Sequence, residues 1–378
     1  MTDQTRKPRV AVVFGGVSSE HSISCISAGS VLKAIDREKY DVVPIGITTT
    51  GTWVLENPDA NPLALGEAGE LPMVVGEQEV ALSPGETSSL VMRPGAAGSS
   101  EIAGVETLGE VDVVFPVMHG PFGQDGTLQG LLEMAGVRYV GAGVLSSAVG
   151  TDKAFMKLLF EAQDLPVLPY VVITPRDWSR DEAGCRNRIE ELGFPVFVKP
   201  ARAGSSFGIS RVNSVDQLDA ALDEARRFDP KVIVEAAAIG AREVECGVLQ
   251  GEGNEAHLTS ELAEIRVDPH HQFYDFEAKY LPEENTALDV PAKLEPELAD
   301  RVKAYAVRAF EALDVEGLAR VDFFVFDDGR IVLNEVETMP GFTSLSMFPR
   351  MWAASGVDYP ELVDRLIRLA LARDLGLR

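Results

Sequence analysis

Short apolar runs, each closed by glycine, proline or a polar cluster, alternate with amphipathic stretches along most of this chain. RVAVVFGG (9–16) reads as a buried parallel strand entering a glycine-rich turn, and SAGSVLKAI (27–35) as the helix that follows. YDVVPIGIT (40–48), VDVVFPVMHG (111–120) and GVRYVGAG (136–143) are further strands with helical stretches between them, as in an open doubly wound sheet. The tract 55–105 is rich in Gly, Pro and Glu and weakly periodic, which predicts an excursion or a partly mobile insert.

A second unit begins near Thr151-Asp152, a helix cap ahead of KAFMKLLFEA. Strands PYVVIT (169–174), FPVFVKP (194–200) and KVIVEA (231–236) follow, with a helix near 181–192. A third unit opens with strand EVECGVLQ (243–250) and a helix over 296–313, whose Leu298, Val302, Ala306, Ala309 and Leu313 share one face. A closing helix over 360–375 has Pro in its first turn, and no internal repeat is present.

ARVDFFVF (319–326) and RIVLNEVE (330–337) are β-rich runs separated by Asp327, Asp328 and Gly329, and Asp-Gly predicts a two-residue hairpin turn. That turn sets Asp322 opposite Glu335 and Arg320 opposite Glu337, with Phe324 and Leu333 further along the same face. Directly opposed carboxylates repel unless they are protonated or bridged by a cation, and an all-oxygen set beside a phosphate suits magnesium. Phe324 and Leu333 would floor the site for a flat base. Read alone, the hairpin is equally a solvated strand end with an Arg–Glu pair.

Lys199 leaves a strand directly into 201-ARAGSSFG-208, where small residues let backbone N–H groups approach phosphate oxygens closely. The P-loop pattern is absent there. Lys153 could supply a second cation, with an exposed first-turn lysine as the plain alternative. Glu235 and Glu243 are strand-end acceptors for an adenine amino group or a ribose hydroxyl, or simply wet. FYDFEAKYL (273–281), between polar and Pro-containing flanks, suggests a lid carrying Lys279 and Tyr280, or an aromatic anchor.

Composition narrows the partners. At 378 residues, 46% hydrophobic and 25% charged, the chain has room for two or three globular domains. A net charge of −25 speaks against nucleic acid as a partner, but not against a nucleotide held by a local cluster of cations. Three cysteines without paired spacing suit a reducing cytoplasm, and no apolar run is long enough to insert in a membrane.

Six stretches taken together carry a resemblance: 14-FGGVSSEHSIS-24, 119-HGPFGQDGTLQG-130, 199-KPARAGSSFGI-209, 275-DFEAKYL-281, 320-RVDFF-324 and 334-NEVETMPGFT-343. Over almost its whole length the chain resembles the ATP-grasp ligases, and among them the D-alanine–D-alanine ligase family. The resemblance implies an α/β (α+β) ATP-grasp fold in three domains. These are an N-terminal Rossmann-like doubly wound domain (1–148), a central domain with the glycine-rich loop (149–236) and a C-terminal domain with lid and metal site (237–378).

It also implies that ATP phosphorylates the first D-alanine, and that the amine of a second attacks the acyl phosphate, for peptidoglycan precursor synthesis. Lys153 and Lys199 match phosphate-binding lysines, and Lys279 the lid lysine on the transferring phosphate. Glu235 and Glu243 match adenine and ribose contacts. Asp322 and Glu335 match ligands of two magnesium (or manganese) ions, with Glu337 beside them. Arg320 and the Gly341 N–H match the stabilisers of the tetrahedral intermediate. Glu20 matches the carboxylate holding the first ammonium, and Ser205 and Tyr280 link that group to the loop and lid. Ser346, with Met347, matches the neighbourhood of the second carboxylate, and His119 lies near the amino-acid site. A homodimer is common in the family. D-alanine–D-lactate and D-alanine–D-serine ligases are the alternatives, with EAKYL favouring the dipeptide.

Two departures stand out. The family reads N-E-x-N-T where this chain has Glu337, and 235-EAAAIG-240 lacks the lysine that often follows the glutamate, leaving adenine to backbone groups. A carboxylate in place of a neutral amide holds a cation more tightly while opposing the phosphates. Glu337→Asn is therefore expected to shift the magnesium dependence of the rate with activity retained; an unchanged profile removes the reason for singling the residue out.

Overall fold

The computed structural model describes residues 6–57, 63–66, 69–83, 89–92, 106–267 and 286–375. Within them the chain builds three sheets. In the first, β1 (Arg9–Gly15) is followed by α1 (His21–Ala34), β2 (Asp41–Ile47), β3 (Trp53–Leu55), β4 (Gln78–Ser83), β5 (Ser89–Met92), β6 (Glu106–Glu110), β7 (Val113–Val117), α2 (Thr127–Ala135) and β8 (Arg138–Tyr139). The spatial order is β6-β5-β4-β3-β2-β1-β7-β8, with β2, β1, β7 and β8 parallel.

Alternation in RVAVVFG explains the two layers. Val10, Val12 and Phe14 face α1 and the C-terminal helix Tyr359–Ala372, whereas Ala11 and Val13 face α2 through Leu128, Leu132 and Ala135. The closing helix thus returns to cover the first sheet. The connections leave β1 and β7 toward opposite faces, so the crevice beyond their carboxyl ends is a topological switch point, a favoured ligand site. Glu20 and His119 stand there.

Two expectations for this sheet change. The tract 55–105 contributes β4 and β5 to an antiparallel extension running on to β6, and its weak periodicity reflects short strands paired through the main chain. The strand expected over 136–143 shrinks to Arg138–Tyr139, because Gly136 and Gly141 turn the backbone at φ +65° and +94°.

α3 (Val144–Thr151) and α4 (Lys153–Ala162) lead to the second sheet. It comprises β9 (Tyr170–Ile173), β10 (Val196–Pro200), β11 (Ser210–Val212) and β12 (Val232–Ala236), in the antiparallel order β11-β10-β12-β9. The expected cap is real. Asp152 accepts from the N–H groups of Ala154 and Phe155 at 3.1 and 3.3 Å, and also pairs with Lys231. The Lys153 N–H bonds to Ala201 O at 3.0 Å, which sets α4 against the exit of β10.

The third sheet runs β16-β15-β13-β17-β18, with β14 beside β13. Its strands are β13 (Arg242–Leu249), β14 (Leu258–Thr259), β15 (Ala263–Val267), β16 (Thr286–Asp289), β17 (Leu318–Val325) and β18 (Ile331–Glu337). The helix Pro296–Ala312 packs Val302, Ala306, Ala309 and Phe310 into its core.

The β17–β18 hairpin departs from expectation twice, and the departures cancel. The loop takes in Asp327, Asp328 and Gly329: Gly329 (φ +81°) donates to Phe326 O at 2.9 Å, and Phe326 donates to Arg330 O at 3.0 Å. Phe324 therefore faces Val332, and Leu333 faces Phe323 and is buried in the core. Leu333 floors nothing. A bulge at Asn334 then restores the register, so Asp322 does face Glu335 and Arg320 does face Glu337.

Asp152→Ala removes a helix cap and one partner of a largely buried ion pair. It is expected to cost about 2 kcal/mol in denaturant unfolding.

Candidate active site

Three adjacent strands aim acidic side chains the same way. Across β13, β17 and β18 the register places Glu245, Asp322 and Glu335 in one row, and Gly247, Arg320 and Glu337 in the next. Arg320 grips Asp322 through two hydrogen bonds of 2.7 Å and reaches Glu245 Oε1 at 3.3 Å. The Arg320–Glu337 pair of the alternative reading does not form, because Asp322 and Glu245 take the guanidinium instead.

Lys153, from α4, approaches Glu335 Oε2 at 3.2 Å and donates to Ala203 O at 3.1 Å. Burial opposes its charge, but Glu335 and Glu337 outweigh that, and its pKa lies above the usual lysine value. Glu337 shows the opposite imbalance. Burial, reinforced by Glu335, pushes its carboxyl up to about 7.

Glu235 is only 1% exposed, between Lys157 at 2.8 Å and Lys199. Burial favours the protonated acid, yet the two lysines hold its pKa down at about 2. Its carboxylate is paired with both lysines, and it lines the cleft together with the Ala236–Ile239 segment, with Glu243 opposite Phe324. Lys157 also donates to Asn334 O at 3.3 Å, holding the bulge.

The loop after Lys199 carries strain. Ser205 and Ser206 sit at φ +48° and +59°, followed by Gly208 at +69°. Ser205 Oγ donates to Glu20 at the start of α1. Glycine is required at 120, where φ is +78° and a Cβ would lie 2.6 Å from Glu20 Oε2. His119 accepts from Ser27 Oγ at 3.0 Å and donates through Nδ1 to Met339 O at 3.3 Å, and burial lowers its pKa. Thr343 N–H donates to Ser346 Oγ at 3.1 Å.

Two cavities result. A cleft of about 350 Å³ holds Lys153, Lys199, Asp322 and Glu335 at a charged end and Phe324 and Ile265 toward an apolar one. A cavity of about 70 Å³ holds Glu20, His119, Ser205, Glu337, Gly341 and Ser346, with Met347. Arg320 and Glu245 line both. Lys279 and Tyr280 lie outside the described residues.

Among the described residues no group of three or more acidic, imidazole or thiol side chains forms a ready metal cage. Asp322 is held by Arg320 and Glu335 by Lys153. The donor chemistry still fits magnesium, which is commonly held by one or two carboxylates together with substrate phosphates. Burial is the main cause of the raised Glu337 carboxyl, and the repulsion that Glu335 adds is one a bound cation would relieve.

Residues 9–142 match the family described as D-ala D-ala ligase N-terminus, and residues 159–368 match D-ala D-ala ligase C-terminus. The chain belongs to the D-alanine–D-alanine ligase family. It is similar to a D-alanine–D-alanine ligase of Kineococcus radiotolerans, at 56% identity covering 98% of this chain and 99% of that one. Among solved structures it resembles the VanG D-Ala:D-Ser ligase from Enterococcus faecalis (TM-score 0.80, 34% identity, covering 97% and 100%). It also resembles the D-alanine-D-alanine ligase from Coxiella burnetii (TM-score 0.77, 32% identity, covering 97% and 94%). The expected ATP-grasp fold and family stand.

Sequence reasoning missed Lys157, Glu245 and Gln124. Alternation beyond Glu243 pointed to Glu245, and helical spacing from Lys153 to Lys157; nothing in the sequence announced that both are buried.

The raised Glu337 carboxyl has a stability consequence. Between the ordinary glutamate range near 4.3 and about 7, the folded metal-free protein holds a proton that the unfolded chain releases. Its contribution therefore favours the folded state at acid pH and is lost as pH rises through about 7. Melting in EDTA at pH 5.5 and 8 is expected to show a larger fall for this protein than for Glu337→Gln.

Proposed function

We propose that this protein is an ATP-dependent D-alanine–D-alanine ligase, joining two D-alanines through an acyl phosphate for peptidoglycan precursor synthesis. The observation that carries the reading is the meeting, at Arg320, of a cation-lined cleft with a small polar cavity. The first suits a triphosphate, the second a small zwitterion.

In this reading Lys153, Lys199 and the strained loop position the phosphates of ATP, and Phe324 and Glu243 flank the nucleoside. Asp322, Glu335 and Glu337 would hold magnesium, which supplies charge neutralisation when bound. Glu20, fixed by Ser205, accepts the ammonium of the first D-alanine, with its carboxylate toward the cleft. The second D-alanine lies toward Ser346 and Met347, and its amine attacks the activated carbonyl. Negative charge then develops on the carbonyl oxygen, between the Arg320 guanidinium and the Gly341 N–H. Lys279 and Tyr280 would close the site against water. Use of ATP and the three unpaired cysteines support a cytoplasmic setting, and the family supports a homodimer.

Incubation with ATP, magnesium and D-alanine is expected to release phosphate and yield the dipeptide. D-lactate or D-serine added in competition is expected to leave D-alanyl-D-alanine the main product; a dominant mixed product overturns the choice of second substrate, and no phosphate release overturns the reading.

A further inference from the structure

Gln124 belongs to the loop between β7 and α2, yet its side chain works at the far end of β18. Its Oε1 accepts from the Gly120 N–H at 2.7 Å, while Nε2 donates to Glu337 Oε2 at 3.2 Å and to Met339 O at 2.9 Å. These partners fix which way the amide faces. One is a donor and two are acceptors, so flipping the amide would set oxygen against a carboxylate and a carbonyl.

The same loop binds the same turn a second time, through His119 and Met339 O. Gln124 therefore ties Gly120, beside the Glu20 carboxylate, to the strand end that carries Glu337 and leads into Gly341. Arg320 is taken by Asp322 and Glu245, and Lys153 by Glu335. Among the described residues Glu337 has no cation within ion-pair distance, and the Gln124 amide is the side-chain donor it holds.

We propose that Gln124 is a positioning residue that orients the Glu337 carboxylate and registers the metal side of the site against the amino-acid side. The proposal rests on the function inferred above and assigns a role to a residue at the wall of the smaller cavity. A carboxylate at 337, where the family pattern has an amide, makes a donor at 124 obligatory. An acidic residue there would still accept from Gly120, but when ionised it would set a second negative charge against Glu337 in place of the amide donor.

The test compares Gln124→Glu with Gln124→Met, each alone and combined with Glu337→Gln. In EDTA at pH 8, Gln124→Glu is expected to melt below Gln124→Met, and the gap to close when Glu337→Gln is added. With ATP, magnesium and D-alanine, both single variants are expected to lose tenfold or more in kcat/KM for D-alanine. Glu337→Gln is expected to recover part of the Gln124→Glu loss and none of the Gln124→Met loss. Equal melting of the two variants, or a Gln124→Glu defect indifferent to Glu337→Gln, overturns the role. If the unaltered protein releases no phosphate, the proposed function falls, and the melting comparison still decides the matter of Gln124.

Discussion

Negative charges crowded on one sheet face are the constraint from which the rest of this site follows. At the roughly 5 Å spacing of cross-strand neighbours, two carboxylates repel by about 3 kcal/mol at an effective dielectric near 20. Glu245, Asp322 and Glu335 stand in such a row. The fold answers with two cations: Arg320 on the same strand as Asp322, and Lys153 brought in from α4. The position of α4 is in turn set by the Asp152 cap, its bond to Lys231 and the Lys153 N–H on Ala201.

The pairing is exchangeable, and that gives it chemical use. Without nucleotide, lysines and carboxylates neutralise each other across the cleft. In the proposed function phosphates would compete for the lysines, and a divalent cation for the carboxylates. A metal–nucleotide complex would then replace one set of ion pairs by two others without leaving any charge stranded. Glu235 plays a quieter part: buried between Lys157 and Lys199, it keeps two lysines close together that would otherwise repel, and Lys157 braces the bulge that carries Asn334.

The smaller cavity depends on backbone shape more than on charge. Ser205 and Ser206 hold left-handed conformations that cost energy, and the loop is secured by Arg202 on Asp229 and by the Lys153 contacts. Gly120 leaves space that a side chain would fill, and Glu20 occupies it. Strain and close approach at such points are the usual signature of a preorganised binding surface.

Strand alternation, the Asp152 cap and the amphipathic helix over 296–313 were legible because each is a local pattern with a local cause. The facing of Asp322 and Glu335 was also legible, although for an incomplete reason: the loop turned out one residue longer and the bulge at Asn334 took the difference back. What the tertiary structure alone decided is which partner each charge meets. Arg320 goes to Asp322 and Glu245 rather than to Glu337, Glu235 disappears beneath two lysines, and Gln124 crosses from one sheet to another. Ion pairs and hydrogen bonds between distant segments depend on packing angles and burial, and those quantities have no periodicity along the chain from which they could be read.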